Sequence, residues 1–288
     1  MKTTIETIDK ERAQEYIAKI DGNRPVSNGY VRWLIGRQRR GEWQTNGDSI
    51  KFDKNGVLRD GQHRLMMVMQ TGEPIEVVVV REIDPASFIT MDTGRSRNLA
   101  DILGINKYQS PRPLADALAW VHRYLRNRMT GGGRISHEQN LVVLDKNPEL
   151  NESVAFYLNL KKGGRQYFSA ITTACHYLFT RIDKPMANDF IDRYVTGVGF
   201  DTLTDPVSVL RNQVPMEAGK RVKPTGDQFF GLFALAWNAR RNGREQRQNF
   251  QVRKKSPIRP KIAGFPKELF LERQEELPLF EEEEEDNI

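Results

Sequence analysis

Apolar and polar residues follow one rhythm up to about residue 110 and another after it. In the first stretch the periodic segments are short. Residues 4–20 read as a short strand or helix followed by a loop. Asn23-Arg-Pro-Val-Ser27 breaks the pattern and offers Ser27 as a helix N-cap. NGYVRWLIGRQRRGEW then has helical spacing, with Tyr30, Val31, Leu34 and Ile35 as its apolar face. Ser49–Asp53 alternates as a strand does. Lys54-Asn55-Gly56 is a hairpin turn of the Asn-Gly kind, and 57–59 is the returning strand. The strand ends abruptly in Asp60-Gly-Gln-His-Arg64, which opens a helix continuing over 65–70. Thr71-Gly72 closes that helix. The apolar run 74–81 has no alternation, as expected of a central strand.

From Ser110-Pro-Arg-Pro113 onward the spacing is helical. Helices are predicted over 114–128, after the cap Ser136-His-Glu138, and over 150–160, 165–182 and 185–196. A shorter one follows over 206–212. Gly226–Arg241 is the most apolar and is the expected core helix. Gly131-Gly-Gly133 with Arg134 is a loop, and no internal repeat is visible. The fold class predicted is α+β. A small α/β domain over 1–108 would combine a hairpin, a crossover helix and a core strand. An all-helical domain would span 109–250, and 251–288 would be a basic linker with a disordered acidic tail.

Composition narrows the function classes. At 288 residues, with 38% apolar and 28% charged residues, the chain can bury a real core beneath a very polar surface. No apolar stretch approaches the roughly 20 residues of a membrane span, and the first residues lack an apolar signal core. A cytoplasmic protein with no membrane partner is expected. The single cysteine, Cys175, excludes an internal disulfide, and its apolar surroundings suit an inert buried thiol. Four scattered histidines do not make a zinc site, and His122, His137 and His176 receive no function. The net charge of +6 conceals a division: residues 272–288 carry −8, which leaves +14 for residues 1–271. So basic a body suits a nucleic-acid or polyphosphate partner. The competing explanation is solubility with a compensating tail.

The strand–helix junction carries the sharpest chemistry. The first amides of a helix lack partners within it and bind anions. Gly61 permits the tight turn and the close approach of a phosphate, and His63 and Arg64 can donate to phosphate oxygens. Asp60 and His63 are the catalytic candidates, Asp60 as base or metal ligand. An ordinary capped junction is the competing reading. The wider segment GEWQTNGDSIKFDKNGVLRDGQHRL resembles the ParB/sulfiredoxin superfamily, in particular ParB-like proteins of phages and mobile elements. The resemblance rests on Gly-x-Trp, a strand ending Ile-x-Phe-Asp, a turn and then DGQHRL, and it covers roughly residues 24–103. It implies nucleotide binding by the loop: CTP in partition proteins, ATP in sulfiredoxins, and ADP in a serine kinase with a DGHHR-type loop. It further implies that Gly61, His63 and Arg64 contact phosphate while Asp60 and Gln62 line the loop. Gln62 stands where sulfiredoxins have their catalytic cysteine, which removes reductase chemistry. The arginine-rich box of partition proteins is missing.

Other candidates are less specific. Asp92-Thr-Gly-Arg-Ser-Arg97 can wrap a phosphate, with Asp92 as base or metal ligand and Thr93, Gly94, Arg95 and Arg97 as phosphate contacts. Phage relatives carry a similar segment, and a helix-capping turn is the alternative. Arg32, Arg37, Arg39 and Arg40 offer a nucleic-acid face, as do Arg123, Arg126, Arg128 and Arg134. A solvated helix face is the plainer account of both. Glu42 and Asp48 are weak candidates for activating an acceptor, and Trp43 is expected in the core. In the tail, Leu277, Leu279 and Phe280 of Glu276-Leu-Pro-Leu-Phe280 resemble the peptide by which bacterial replication proteins bind the sliding clamp, with Glu276 where that peptide usually has Gln; a segment docking back on its own domain is the competing reading. The expected activity is Mg²⁺-dependent phosphotransfer or hydrolysis of a nucleoside di- or triphosphate, by a kinase or NTPase linked to DNA or nucleotide metabolism. Alternatives are a non-catalytic DNA-binding or regulatory protein on the same fold and a nuclease. The nuclease would need a dense carboxylate cluster that is not found.

Overall fold

A computed structural model describes residues 1–23, 25–86, 97–129, 135–160, 169–200, 202–219, 225–252 and 261–271. The chain is mixed α and β, with a four-stranded sheet near its start and eleven α-helices among the described residues. It divides into two compact units. One comprises Met1–Ser96 with Gly133–Glu138, and the other Arg97–Gly132 with Gln139–Ile288.

In the sheet unit the order of elements is β1 (Lys2–Ile8), α1 (Lys10–Ile17), α2 (Asn28–Arg39), β2 (Ser49–Asp53), β3 (Leu58–Asp60), α3 (Gln62–Thr71) and β4 (Ile75–Ile83). The first 20 residues thus hold both a strand and a helix. Asp9 separates them by accepting the Arg12 N–H at 2.8 Å as the N-cap of α1. Ser27 caps α2 as expected, accepting from Tyr30 N. The sheet order is β1-β4-β2-β3. β4 therefore lies inside the sheet, antiparallel to β1 and parallel to β2. β2 and β3 form the hairpin. Asp53 organises its turn, accepting the N–H groups of Asn55 and Val57 and the guanidinium of Arg59 at 2.8 to 3.0 Å. Burial alone would push this carboxyl up, but those donors hold it below its ordinary value. Ile8, Ile50, Phe52, Leu58, Val77 and Val79 are buried from the strands, as are Ala13, Leu34, Leu65 and Val68 from the helices.

The helical unit contains α4 (Leu99–Ile105), α5 (Pro111–Leu125), α7 (Leu150–Leu160), α8 (Ser169–Thr180), α9 (Lys184–Thr196), α10 (Pro206–Ala218) and α11 (Gly226–Arg241). α6 (His137–Asp145) begins in the segment grouped with the sheet unit and continues here. α5 starts three residues earlier than its apolar spacing suggests, because Pro111 occupies its first turn, where a missing N–H costs nothing. α10 runs past the expected stop at 212 because Pro215 falls in its last turn, where little helix is left to interrupt. Although α11 is strongly apolar, α8 is the more enclosed helix. Residues 171–179 are all buried, and α8 packs against α5, α7, α9 and α11. Trp237 stacks on Phe179 at 4.3 Å, and Phe190 meets both rings edge-on. Cys175 is fully buried among these residues, and burial pushes its thiol pKa well up, as its apolar context suggested.

Candidate functional site

The junction between β3 and α3 is built around Gly61. Its φ of 105° and ψ of 0° place it in left-handed backbone. A Cβ here would come within 2.9 Å of Ile50 Cγ1 and 3.2 Å of Ile50 Cα. Glycine is thus required twice, by conformation and by the neighbouring strand. The close approach that the sequence reading assigned to a phosphate is already made by Ile50 of β2. Asp60 ends β3. Its Oδ1 accepts the Gly61 N–H at 2.7 Å, and its Oδ2 accepts from Lys51 Nζ at 2.7 Å. Lys51 and Asp60 are register partners across the hairpin, so their side chains project from the same face.

Lys51 was missed as a candidate, although its signal was legible. The alternation of Ser49–Asp53 and the Asn55-Gly56 turn together set it opposite Asp60. Arg64 turns back from α3 and donates from one terminal guanidinium nitrogen to the Ser49 carbonyl at 2.7 Å. Its other terminal nitrogen lies 3.7 Å from Asp48 Oδ2. Gln62 and His63 are both buried. His63 Nε2 accepts the N–H of Ser27 at 3.0 Å, and its ring meets Tyr30 edge-on at 5.2 Å. An acceptor Nε2 places the proton of the neutral ring on Nδ1. Nε2 is thus engaged as an acceptor from the N-cap of α2, and donation by His63 to a phosphate falls to Nδ1–H.

The carboxylates assigned to metal binding or catalysis fare differently. Among the described residues, no group of three or more His, Cys, Asp or Glu side chains could hold a metal ion. Asp60 supplies one carboxylate. That suits Mg²⁺ only where phosphate oxygens and water complete its shell, which is the ion's usual habit. Asp92, Thr93, Gly94 and Arg95 lie outside the described residues, as do Arg134, Leu277, Leu279 and Phe280. Arg97 is exposed and belongs to the helical unit, where it directly precedes Asn98. Asn98 and Asp101 form the capping box of α4.

The arginines proposed for nucleic acid divide into two groups. Glu42 accepts from Arg40 through both oxygens, at 2.7 and 3.1 Å, and its Oε2 lies 3.5 Å from Arg37 Nε. Arg37 also donates to Glu138 at 2.8 Å and lies 5.2 Å over the ring of Trp33. Burial would raise the Glu42 carboxyl, but Arg40, Ser136 and Arg37 bring it below its ordinary value. Glu42 is therefore a clamp between arginines, with no open position for activating an acceptor, and Arg37 and Arg40 are neutralised. Arg39 is exposed. Asp48 is 64% exposed, and Trp43 is half-buried.

A polar cluster the sequence reading missed ties α1 to the sheet. Arg81 donates to both oxygens of Glu6, at 2.6 and 3.2 Å, and to the Tyr16 hydroxyl at 2.6 Å. Arg81 draws the Glu6 carboxyl down to about 2, while burial pushes the Tyr16 hydroxyl up to about 12. Its members meet across 75 residues of sequence, so no local pattern announces it.

No family model matches the chain, and no curated protein or solved structure matches it either. No helix among the described residues is long and apolar enough to cross a membrane.

Proposed function

We propose that the β3–α3 turn holds the phosphates of a nucleoside di- or triphosphate, in a domain of the ParB/sulfiredoxin type. The observation that carries this reading is the pair of half-buried cations beside the Gly61 turn. Lys51 and Arg64 are 25% and 19% exposed, and each lies beside a carboxylate, Asp60 or Asp48. An arriving phosphate replaces those carboxylates as the partner of both cations and meets the first amides of α3. Asp60, released from Lys51, is then the group that takes Mg²⁺ or a proton. Phosphoryl transfer needs mainly positioning and charge neutralisation, so phosphotransfer or hydrolysis suits this arrangement. The acceptor classes that suit the site are a small metabolite, a nucleotide and a DNA base, and the basic body favours DNA.

A second reading keeps the fold as a non-catalytic DNA-binding or regulatory scaffold. It is favoured by the double engagement of Asp60 and by the acceptor role of His63 Nε2. A thermal-shift screen of nucleoside di- and triphosphates with Mg²⁺ separates the two. A ligand at 100 times its Kd stabilises by about 2.7 kcal/mol. The first reading expects such a shift and its loss in Arg64→Ala. Absence of a shift with every nucleotide overturns it in favour of the second.

A further inference from the structure

α2 presents an exposed stripe that the nucleotide reading does not use. Gly29, Arg32, Gly36 and Arg39 follow one another at spacings of three and four residues and so share one side of the helix. Val31, Leu34 and Ile35, on the opposite side, are buried. Arg32 and Arg39 are both exposed, and neither has a hydrogen-bond or ion-pair partner among the described residues. Arg37 and Arg40, by contrast, are held by Glu42 and Glu138. The helix contains no acidic residue.

Ordinary helix energetics explain only half of this. Arg39, in the last turn, gains from the negative end of the helix dipole. Arg32 lies just past the first turn and gains nothing there. Gly29 keeps the surface beside Arg32 low, whereas the Arg40 side chain lies over Gly36. A Cβ on Gly29 would meet nothing within 4 Å, and one on Gly36 would meet only the end of the Arg40 side chain. Seven residues of helix separate the guanidinium-bearing positions by about 10 Å along the axis. Side chains as long as arginine, rooted that far apart, can reach separate phosphates of one backbone.

We infer that the Gly29–Arg32–Gly36–Arg39 face of α2 is a contact surface for the phosphate backbone of nucleic acid, with Arg32 and Arg39 as its two phosphate ligands. Charge complementarity selects this occupant. Arg32 and Arg39 have no acidic partner among the described residues, while Arg40, whose guanidinium lies over Gly36, is already paired with Glu42. The assignment moves the nucleic-acid role away from Arg37 and Arg40, and it stands independently of any nucleotide at Gly61.

Fluorescence anisotropy of the full chain with a short labelled DNA duplex, between about 50 and 200 mM salt, tests it. Binding should weaken with salt. The slope of log K against log salt should shrink by about 0.9 in Arg32→Ala, by about 0.9 in Arg39→Ala and by about 1.8 in the double variant. Arg32→Lys and Arg39→Lys should keep the slope, and Arg12→Ala on α1 should leave it unchanged. The inference is overturned by wild-type slope in the double variant, by no binding of DNA at the lowest salt, or by binding to anionic lipid vesicles in preference to DNA.

Discussion

At the β3–α3 junction the polar side chains are charged and partly exposed: Lys51 at 25%, Asp60 at 21% and Arg64 at 19%. In the helical unit the same kind of task falls to neutral side chains, of which Gln213 and Tyr124 are buried and Asn238 is partly exposed. Gln213 clasps the backbone of Phe250 through both its donor and its acceptor at 2.8 Å. Asn238 does the same to Lys261 and Ala263, also at 2.8 Å. Tyr124 receives the N–H of Ile262 at 3.2 Å. These side chains hold segments that lack regular structure against the helices. An exposed or half-exposed ion pair contributes only about 0–1 kcal/mol, so its members can change partner cheaply. A buried amide that loses its partner leaves groups unsatisfied at about 1–3 kcal/mol each. On the proposed function, an incoming anion can rearrange the first region at little cost. The second is built to stay as it is.

The contrast can be broken most forcibly with acid. His176 is buried, stacked on Phe156 at 4.4 Å, with Nε2 bonded to Asn188 and Nδ1 buried without a hydrogen-bond partner among the described residues. Burial, only partly offset by Asn188, lowers its pKa to about 4 from an ordinary 6.5. The unfolded chain therefore binds this proton more readily. The stability due to neutral His176 is fully present above pH 6.5 and is lost as pH falls towards about 4, amounting to about 3 kcal/mol. Urea unfolding between those limits should show the loss, and His176→Gln should remove this component of the pH dependence. A pH-independent wild-type midpoint would contradict the account.

Gln213→Leu should cost about 2–3 kcal/mol by the same measurement, because both backbone groups of Phe250 lose their partner. Gly61→Ala should cost about 2 kcal/mol, from left-handed strain together with the Ile50 contact. The smallest effect is the most informative. Lys51→Met should change stability by no more than about 0.5 kcal/mol yet abolish any nucleotide-induced shift. A large loss of stability in Lys51→Met would place that residue with the architectural group.

How far these features were legible depended on sequence distance. The hairpin, the Ser27 cap and the central strand rest on contacts a few residues apart, and turn and periodicity signals predict them. Asp53 was visible as a strand end, and its role in the turn follows from that. Lys51 opposite Asp60 followed from the hairpin register and could have been read. His63 could not. Whether its Nε2 donates or accepts is decided by Ser27, 36 residues away, and a histidine in sequence has no fixed polarity. The arginines after Tyr30 look equivalent in a sequence, yet Glu42 and Glu138 neutralise only Arg37 and Arg40. The α1 helix was lost between strand and loop because its apolar positions are few; only Ala13 and Tyr16 are buried.

The central claim is that phosphate arrives at the start of α3. Amide NMR spectra of the chain, titrated with Mg²⁺ and a nucleoside di- or triphosphate, test it most directly. The account predicts saturable shifts at the amides of Gln62 and His63 and at the Lys51 and Arg64 side chains, with the Gln213 and Asn238 side-chain amides unmoved. Saturable shifts that leave Gln62 and His63 untouched would contradict it.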